Sequence, residues 1–277
     1  MRVIPIILWG QGYSRRRSFN PNKNYIDRLH LYLVKSCDAY VCYTEEICNI
    51  LSQYVKKEKL FVARNTLDMD NLIKIRDKLE LKSKKIIKEE LDLMRQHYIL
   101  FIGRIQKRKK VPFLIEVFRL LKEAKLDIGL IIIGDGEERE IVEKKVRYYG
   151  LTDIHLLGDL YGEEAGKYIY ACDILVIPSW LGLAVNHAFI FGLPVITEDA
   201  PFAHPPEIAY LQNGYNGKLS EANNKEAMAK DILNVLKDID KYSANAKNYA
   251  IENLSISNMI NGFQKAVIYA KKKKGEK

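Results

Sequence analysis

The chain has 277 residues, 48% of them hydrophobic and 29% charged, which allows two domains of ordinary size and excludes a disordered chain. Its longest apolar stretch, near residues 175–197, is interrupted by Pro178, Asn186, His187 and Pro194 and so is not read as a membrane span. MRVIPIILWGQG, with one charge ahead of a strand-like run, is not read as a signal peptide, and the expected location is the cytoplasm. A net charge of +9 and the terminal KKKKGEK favour an anionic partner, whether nucleic acid, lipid headgroup or phosphorylated small molecule, although a lysine-rich tail also serves solubility alone.

Residues 3–9 read as a buried strand that runs into the glycine turn Gly10, Gln11, Gly12 and then the basic loop SRRRSFNPNKN. A loop after a strand end is where α/β proteins place ligands. Residues 24–36 form an amphipathic helix, DAYVCY from Asp38 a strand, residues 44–54 a helix with Glu45 and Glu46 in its first turn, and LFVARN a further strand. The cysteines Cys37, Cys42, Cys48 and Cys172 lack C-x-x-C spacing and stand apart from histidines, so free buried thiols are expected and no metal site. Residues 71–96 are helical, highly charged and free of Gly and Pro, as in a linker helix or helix pair between two lobes. The D-x-D triplet, residues 68–70, falls at a helix start, where capping is the favoured role over metal binding.

A second lobe opens with the strand YILFIG at Tyr98. Regular alternation follows: helix from Val111, strand DIGLIII, helix from Glu137, strand DIHLLG, helix from Glu163, strand DILVIP, helix from Gly182, strand PVIT, then three terminal helices. Alternation of this kind specifies a parallel sheet covered on both faces, with every strand C-terminus on one edge. The loops after Gly103, Gly134, Gly158 and Pro178 therefore share a rim, the expected ligand site. The expected division is a partial first lobe at 1–70, a charged linker at 71–97, a complete lobe at 98–254, and a terminal helix and tail at 255–277.

Three rim segments carry chemistry. In GRIQKRKK, Arg104 offers a planar fork of donors and Lys109 a compact charge, a combination suited to a diphosphate, although a solvated basic loop has the same composition. GDGEER is a glycine turn between strand and helix and is weak evidence alone. In LVIPSWLGLAVNHAFIFGLPVIT, a helix of about ten residues opens at Gly182, and its free N–H groups near Gly182, Leu183 and Ala184 form a ready anion site. An ordinary buried α/β unit would read the same way.

Together and in order, FIGRIQKRKKVPFLIEVF, IIIGDGEER, HLLGDL, ACDILVIPS, GLAVNHAFIFGLPVIT and PPEIAYLQNGYNGKL resemble the C-terminal nucleotide-binding lobe of the retaining GT-B glycosyltransferases of group 1. That family contains bacterial polysaccharide mannosyl-, glucosyl- and galactosyltransferases. Residues 3–65 resemble the last part of its acceptor-binding lobe, and the terminal helix resembles the one that crosses back onto that lobe. The resemblance implies an α/β fold of GT-B type, with a Rossmann-like C-terminal lobe and an incomplete N-terminal one. It implies a metal-independent hexosyltransferase without cofactor, using a UDP- or GDP-linked nucleotide-sugar and a saccharide or lipid-linked acceptor in cell-surface glycan synthesis.

Carried over by position, Arg104 and Lys109 are the catalytic cations on the diphosphate. Gly103, Gly134, Leu157, Ser179, Gly182, Leu183, His187 and Glu207 form the donor site, and Gly10, Gln11 and Gly12 face the acceptor. Two family glutamates are absent: Ser179 stands at the spacing of one, in a loop about three residues shorter, and His187 replaces the other, on the ribose. The family's first lobe begins with several more units, so a truncated start is expected, its remainder supplied by a separate chain or its acceptor lobe reduced. Basic stretches fit a peripheral position on the anionic inner face of the membrane. A non-catalytic nucleotide-sugar-binding partner subunit, or a fragment of a split glycosyltransferase, is the alternative reading, and nucleic acid is ranked last because QKRKK carries no aromatic residue.

Overall fold

A computed structural model describes residues 4–14 and 17–275; the sequence expectations on Val3, on Arg15 and Arg16, and on the tail residues Glu276 and Lys277 lie outside the described residues. The small lobe comprises β1 (Ile7–Gly10), α1 (Tyr25–Ser36), β2 (Ala39–Cys42), α2 (Glu45–Leu51) and β3 (Leu60–Val62). Both helices are capped by side chains: that of Asn24 accepts from the N–H groups of Ile26 and Asp27, and that of Thr44 from the N–H of Ile47. The strands form a parallel sheet in the order β1-β2-β3.

Two helices follow, α3 (Met69–Glu80) and α4 (Lys84–Glu90). They are not a free span, because Met69, Ile75, Leu79 and Ile87 are buried in the core of the large lobe. Asp68 caps α3 through the Asn71 N–H. The large lobe continues with β4 (His97–Ile102), α5 (Val111–Glu123), β5 (Ile128–Ile133), α6 (Arg139–Tyr148), β6 (Ile154–Gly158), α7 (Gly162–Ala171), β7 (Ile174–Val176), α8 (Ala184–Ile190), β8 (Val195–Glu198), β9 (Gly217–Ser220), α9 (Lys225–Lys237) and α10 (Ile239–Asn253), and the chain ends in α11 (Ile256–Gly275).

Its six parallel strands are ordered β6-β5-β4-β7-β8-β9. In β5 all six residues of IGLIII are buried, which is why this strand is continuously apolar rather than alternating. β9 was not among the sequence-read strands. It is short, and Gly217 is required there, since a Cβ would lie 2.0 Å from the Val195 carbonyl oxygen of β8. The order reverses between β4 and β7, so the crevice outside their C-terminal ends is the topological switch point.

The terminal helix α11 returns to the small lobe. Ala266 and Ala270 are buried against Ala39, Val41 and Ala63, and a Cβ on Gly262 would lie 2.1 Å from the Val62 carbonyl oxygen. Small residues on both sides let the helix sit close enough to cover one sheet face. The chain crosses between lobes at Asn65–Thr66 and returns at Leu254. These crossings are tied together, because the Thr66 hydroxyl donates to the Leu254 carbonyl at 2.6 Å.

Candidate functional site

The rim is built where β4 ends. Gly103, at φ +132°, turns the chain off the sheet, and a Cβ there would lie 3.2 Å from the Lys109 ammonium. Gly134 and Gly136 also have positive φ, and a Cβ on either would lie 2.3 Å from a carbonyl oxygen, of Gly103 and Ile105 respectively. These contacts press the loops after β4 and β5 together. The Ile105 N–H donates to the Asp135 carbonyl at 2.8 Å, and the Glu138 N–H to the Ile105 carbonyl at 3.2 Å.

A 3-10 turn, Lys107–Lys109, follows. It drives Lys109 inward, to 8% exposure, where its ammonium donates to the Trp180 carbonyl at 3.4 Å and lies 5.9 Å from the centre of the Phe101 ring. Among the described residues this ammonium has no carboxylate partner. Burial, then the nearby Arg108 charge, pushes its pKa down to about 8. Arg104 is exposed, and among the described residues it makes no ion pair or hydrogen bond. Lys110 differs: its ammonium is neutralised within the fold by Glu198 at 2.6 Å and the Asn223 side chain at 2.7 Å.

The facing loop, from β7 to α8, carries buried Ser179 and then Trp180 at φ +57°. It is held by His204, whose Nδ1 accepts from the Leu181 N–H at 3.1 Å while Nε2 donates to the Glu198 carbonyl at 3.0 Å. Nothing in the sequence marked His204, because both partners are backbone groups. At Gly182 a Cβ would meet nothing nearer than Pro205, at 3.8 Å, so the fold itself leaves this position open. Leu183 is the N-cap of α8, without a side-chain cap. The helix has seven residues, shorter than the length read from sequence.

A cavity of 690 Å³ lies between the loops after β4, β5 and β6 and the start of α7. It brings together Gly103, Arg104, Gly134 and His187. Burial holds the His187 imidazole below its ordinary pKa, so it is neutral at pH 7, and its buried Nδ1 has no partner among the described residues. Lys109 adjoins this space through Gly103. Leu157, Ser179, Gly182 and Leu183 stand outside the cavity wall, Leu157 in β6 and the other three between β7 and α8. Asp159 to Gly162 complete the wall, and they form the loop after Gly158 that the sequence places on the rim.

Glu207 does not line the cavity. It is buried at the junction of the lobes, where Oε1 accepts from the Asn65 amide at 3.0 Å. Gln11 and Gly12 line a separate cavity of 420 Å³ in the small lobe with Trp9, Tyr13 and His30, and Gly10 adjoins it, 3.2 Å from the Tyr40 hydroxyl when given a Cβ. In the basic loop beyond, Arg17 is paired with buried Asp27 at 2.5 and 3.0 Å.

Residues 96–238 match the family model described as glycosyl transferases group 1. The chain is 25% identical over 242 residues to an uncharacterised glycosyltransferase of Methanocaldococcus jannaschii, covering 84% of this chain and 59% of the relative. It is 27% identical over 265 residues to an uncharacterised glycosyltransferase of Haemophilus influenzae, covering 91% and 67%. Among solved structures it shares the fold of Anabaena HepE in complex with UDP, with a TM-score of 0.71, 16% identity, and coverage of 95% of this chain and 72% of that one.

Proposed function

The chain belongs to the group 1 glycosyltransferases and has their GT-B fold, and from that premise we propose that it transfers a hexose from a UDP- or GDP-linked donor to a hydroxyl of a saccharide or lipid-linked saccharide, with retention of configuration. One observation carries this reading: a buried ammonium, Lys109, stands without a carboxylate partner among the described residues, beside an unpaired Arg104, at the switch point of a parallel sheet. A buried, unbalanced cation is costly unless an anion completes it. The donor diphosphate is that anion, gripped by the Arg104 fork and the Lys109 point charge.

As the glycosidic bond breaks, negative charge grows on the departing diphosphate, and fixed cations there stabilise the transition state more than the ground state. The acceptor hydroxyl attacks on the same face, and the leaving phosphate takes its proton. No side-chain nucleophile is invoked, and the protein's part is positioning and charge. The nucleoside occupies the 690 Å³ cavity, where neutral His187 offers its unpaired Nδ1 as acceptor to a ribose hydroxyl. The HepE neighbour was solved with UDP, which makes uridine the first base to try.

The chain spans 59% of the length of its Methanocaldococcus jannaschii relative. One second reading, a nucleotide-sugar-binding partner, follows from Ser179 and His187 standing where the family has its two glutamates. Peripheral contact with an anionic membrane rests on the lysines that end α11, of which Lys274 is already paired with Asp38 at 3.2 Å. Titration with UDP and GDP, followed by a donor-hydrolysis assay, separates enzyme from partner. Tight binding with no turnover of any donor would sink the enzyme reading for this chain.

A further inference from the structure

The loop of residues 104–110 carries more positive charge than a diphosphate needs. Of its five cations, only Lys110 has a carboxylate partner among the described residues. Elsewhere the described cations are widely paired, as in Arg95 with Asp153, Lys145 and Lys225 with Glu116, and Lys84 with Asp173. Arg104 and Lys109 together match the single charge on each of two phosphates. Lys107 and Arg108 are left over, both exposed.

Arg108 is not a loose surface side chain. Its guanidinium lies 4.5 Å from the centre of the Trp180 ring, on a residue held at φ +57° in the loop opposite. With its carbon over the ring, the guanidinium makes no hydrogen bond or ion pair among the described residues, so its N–H donors are free, and that fork has the spacing of a carboxylate. The carbonyl of the same Trp180 accepts from Lys109, so the stacked fork and the diphosphate ammonium share one residue as their support. The Arg108 charge also helps depress the Lys109 pKa, which places the two cations in mutual reach. Along a nucleotide-sugar, the group that follows the distal phosphate is the transferred sugar.

We propose that the Arg108–Trp180 pair is a carboxylate-reading subsite for the transferred sugar, so that the donor is a nucleoside diphosphate uronic acid rather than a neutral hexose. The inference rests on the reading that Lys109 and Arg104 hold the diphosphate, and the experiment separates the two. Calorimetric titration with UDP and GDP first identifies the base. The wild-type chain, Arg108→Gln and Arg108→Lys are then titrated with the matching pair, UDP-glucuronate and UDP-glucose or GDP-mannuronate and GDP-mannose, at low salt.

The wild-type chain is expected to bind the uronate about tenfold more tightly than the neutral sugar. Arg108→Gln should abolish that preference while the affinity for the bare nucleotide stays within about threefold, and Arg108→Lys, which keeps charge without the fork, should restore it in part. Equal or tighter binding of the neutral sugar overturns the proposal, as does a uronate preference that survives Arg108→Gln. A parallel loss of nucleotide and both sugars in Arg108→Gln also overturns it, by making Arg108 part of the diphosphate grip. Absence of binding by UDP and GDP alike removes the diphosphate reading and this inference with it.

Discussion

A buried ammonium without a counter-charge has opposite consequences for stability and for ligand binding. The folded-state pKa of Lys109 is about 8 against an ordinary 10.5, so the unfolded chain holds the proton more tightly. Stability contributed at this residue therefore rises with pH between about 8 and 10.5 and is withheld below, by on the order of 3 kcal/mol. Lys109→Met removes that burden and is expected to stabilise the ligand-free protein by about 1–3 kcal/mol, read as a higher melting temperature. Nucleotide binding runs the other way, since only the protonated amine attracts a diphosphate. The affinity of the wild-type chain should fall about tenfold between pH 7 and pH 9, and the affinity of Lys109→Met should not change over that range. A flat profile in the wild-type chain would contradict a role for Lys109 at the phosphates. His187 is tested at the same site: His187→Ala should weaken nucleotide binding about fivefold, through loss of an Nδ1 acceptor that has no partner among the described residues.

At the scale of elements, the loops after β4 and β5 depend on contact rather than on composition. Gly134→Ala would place a Cβ 2.3 Å from the Gly103 carbonyl oxygen at a φ of +132°. A loss of about 3 kcal/mol or more in denaturant unfolding is expected, together with loss of nucleotide binding as the Lys109 turn shifts. A variant of full stability would show that the two loops need not touch. Apolar runs and glycine punctuation made β4, β5, β7 and β8 legible in the sequence, because a strand buried on both faces must be continuously hydrophobic, and the half-buried edge strand β6 was legible from its Leu-Leu-Gly ending. β9 was not legible, since Gly217–Ser220 has no apolar run and pairs only because Gly217 lets β8 approach. The short α8 was over-read, because its apolar residues continue into the turn at Phe191 and Gly192. Arg104, Gly134 and His187 could be found from their loops and from family resemblance. His204 could not, nor could the stacking of Arg108 on Trp180, which joins two loops distant in sequence.

For the whole molecule, the two lobes meet through a few polar groups that sequence spacing could not foresee. Glu207 was expected in the donor pocket, and its carboxylate instead accepts from Asn65, 142 residues away. The Tyr210 hydroxyl donates to the Asn65 carbonyl at 3.0 Å, and Asn186, next to His187, donates to the Thr66 hydroxyl at 3.3 Å. The helix that borders the donor cavity is thus bonded to the segment where the chain changes lobes. Glu207→Ala should lower the melting temperature by a few degrees, with a ΔΔG of about 1–3 kcal/mol, and should leave nucleotide affinity within about threefold. A large loss of affinity at unchanged stability would return Glu207 to the donor site.

The diphosphate site is tested most directly by calorimetric titration of UDP and GDP into the wild-type chain and into Lys109→Met, side by side at pH 7. One nucleotide should bind the wild-type chain, and Lys109→Met, still folded, should bind it about a hundredfold more weakly. Equal affinity in the two proteins, or no binding of either nucleotide to the wild-type chain, would contradict a donor diphosphate held by Lys109.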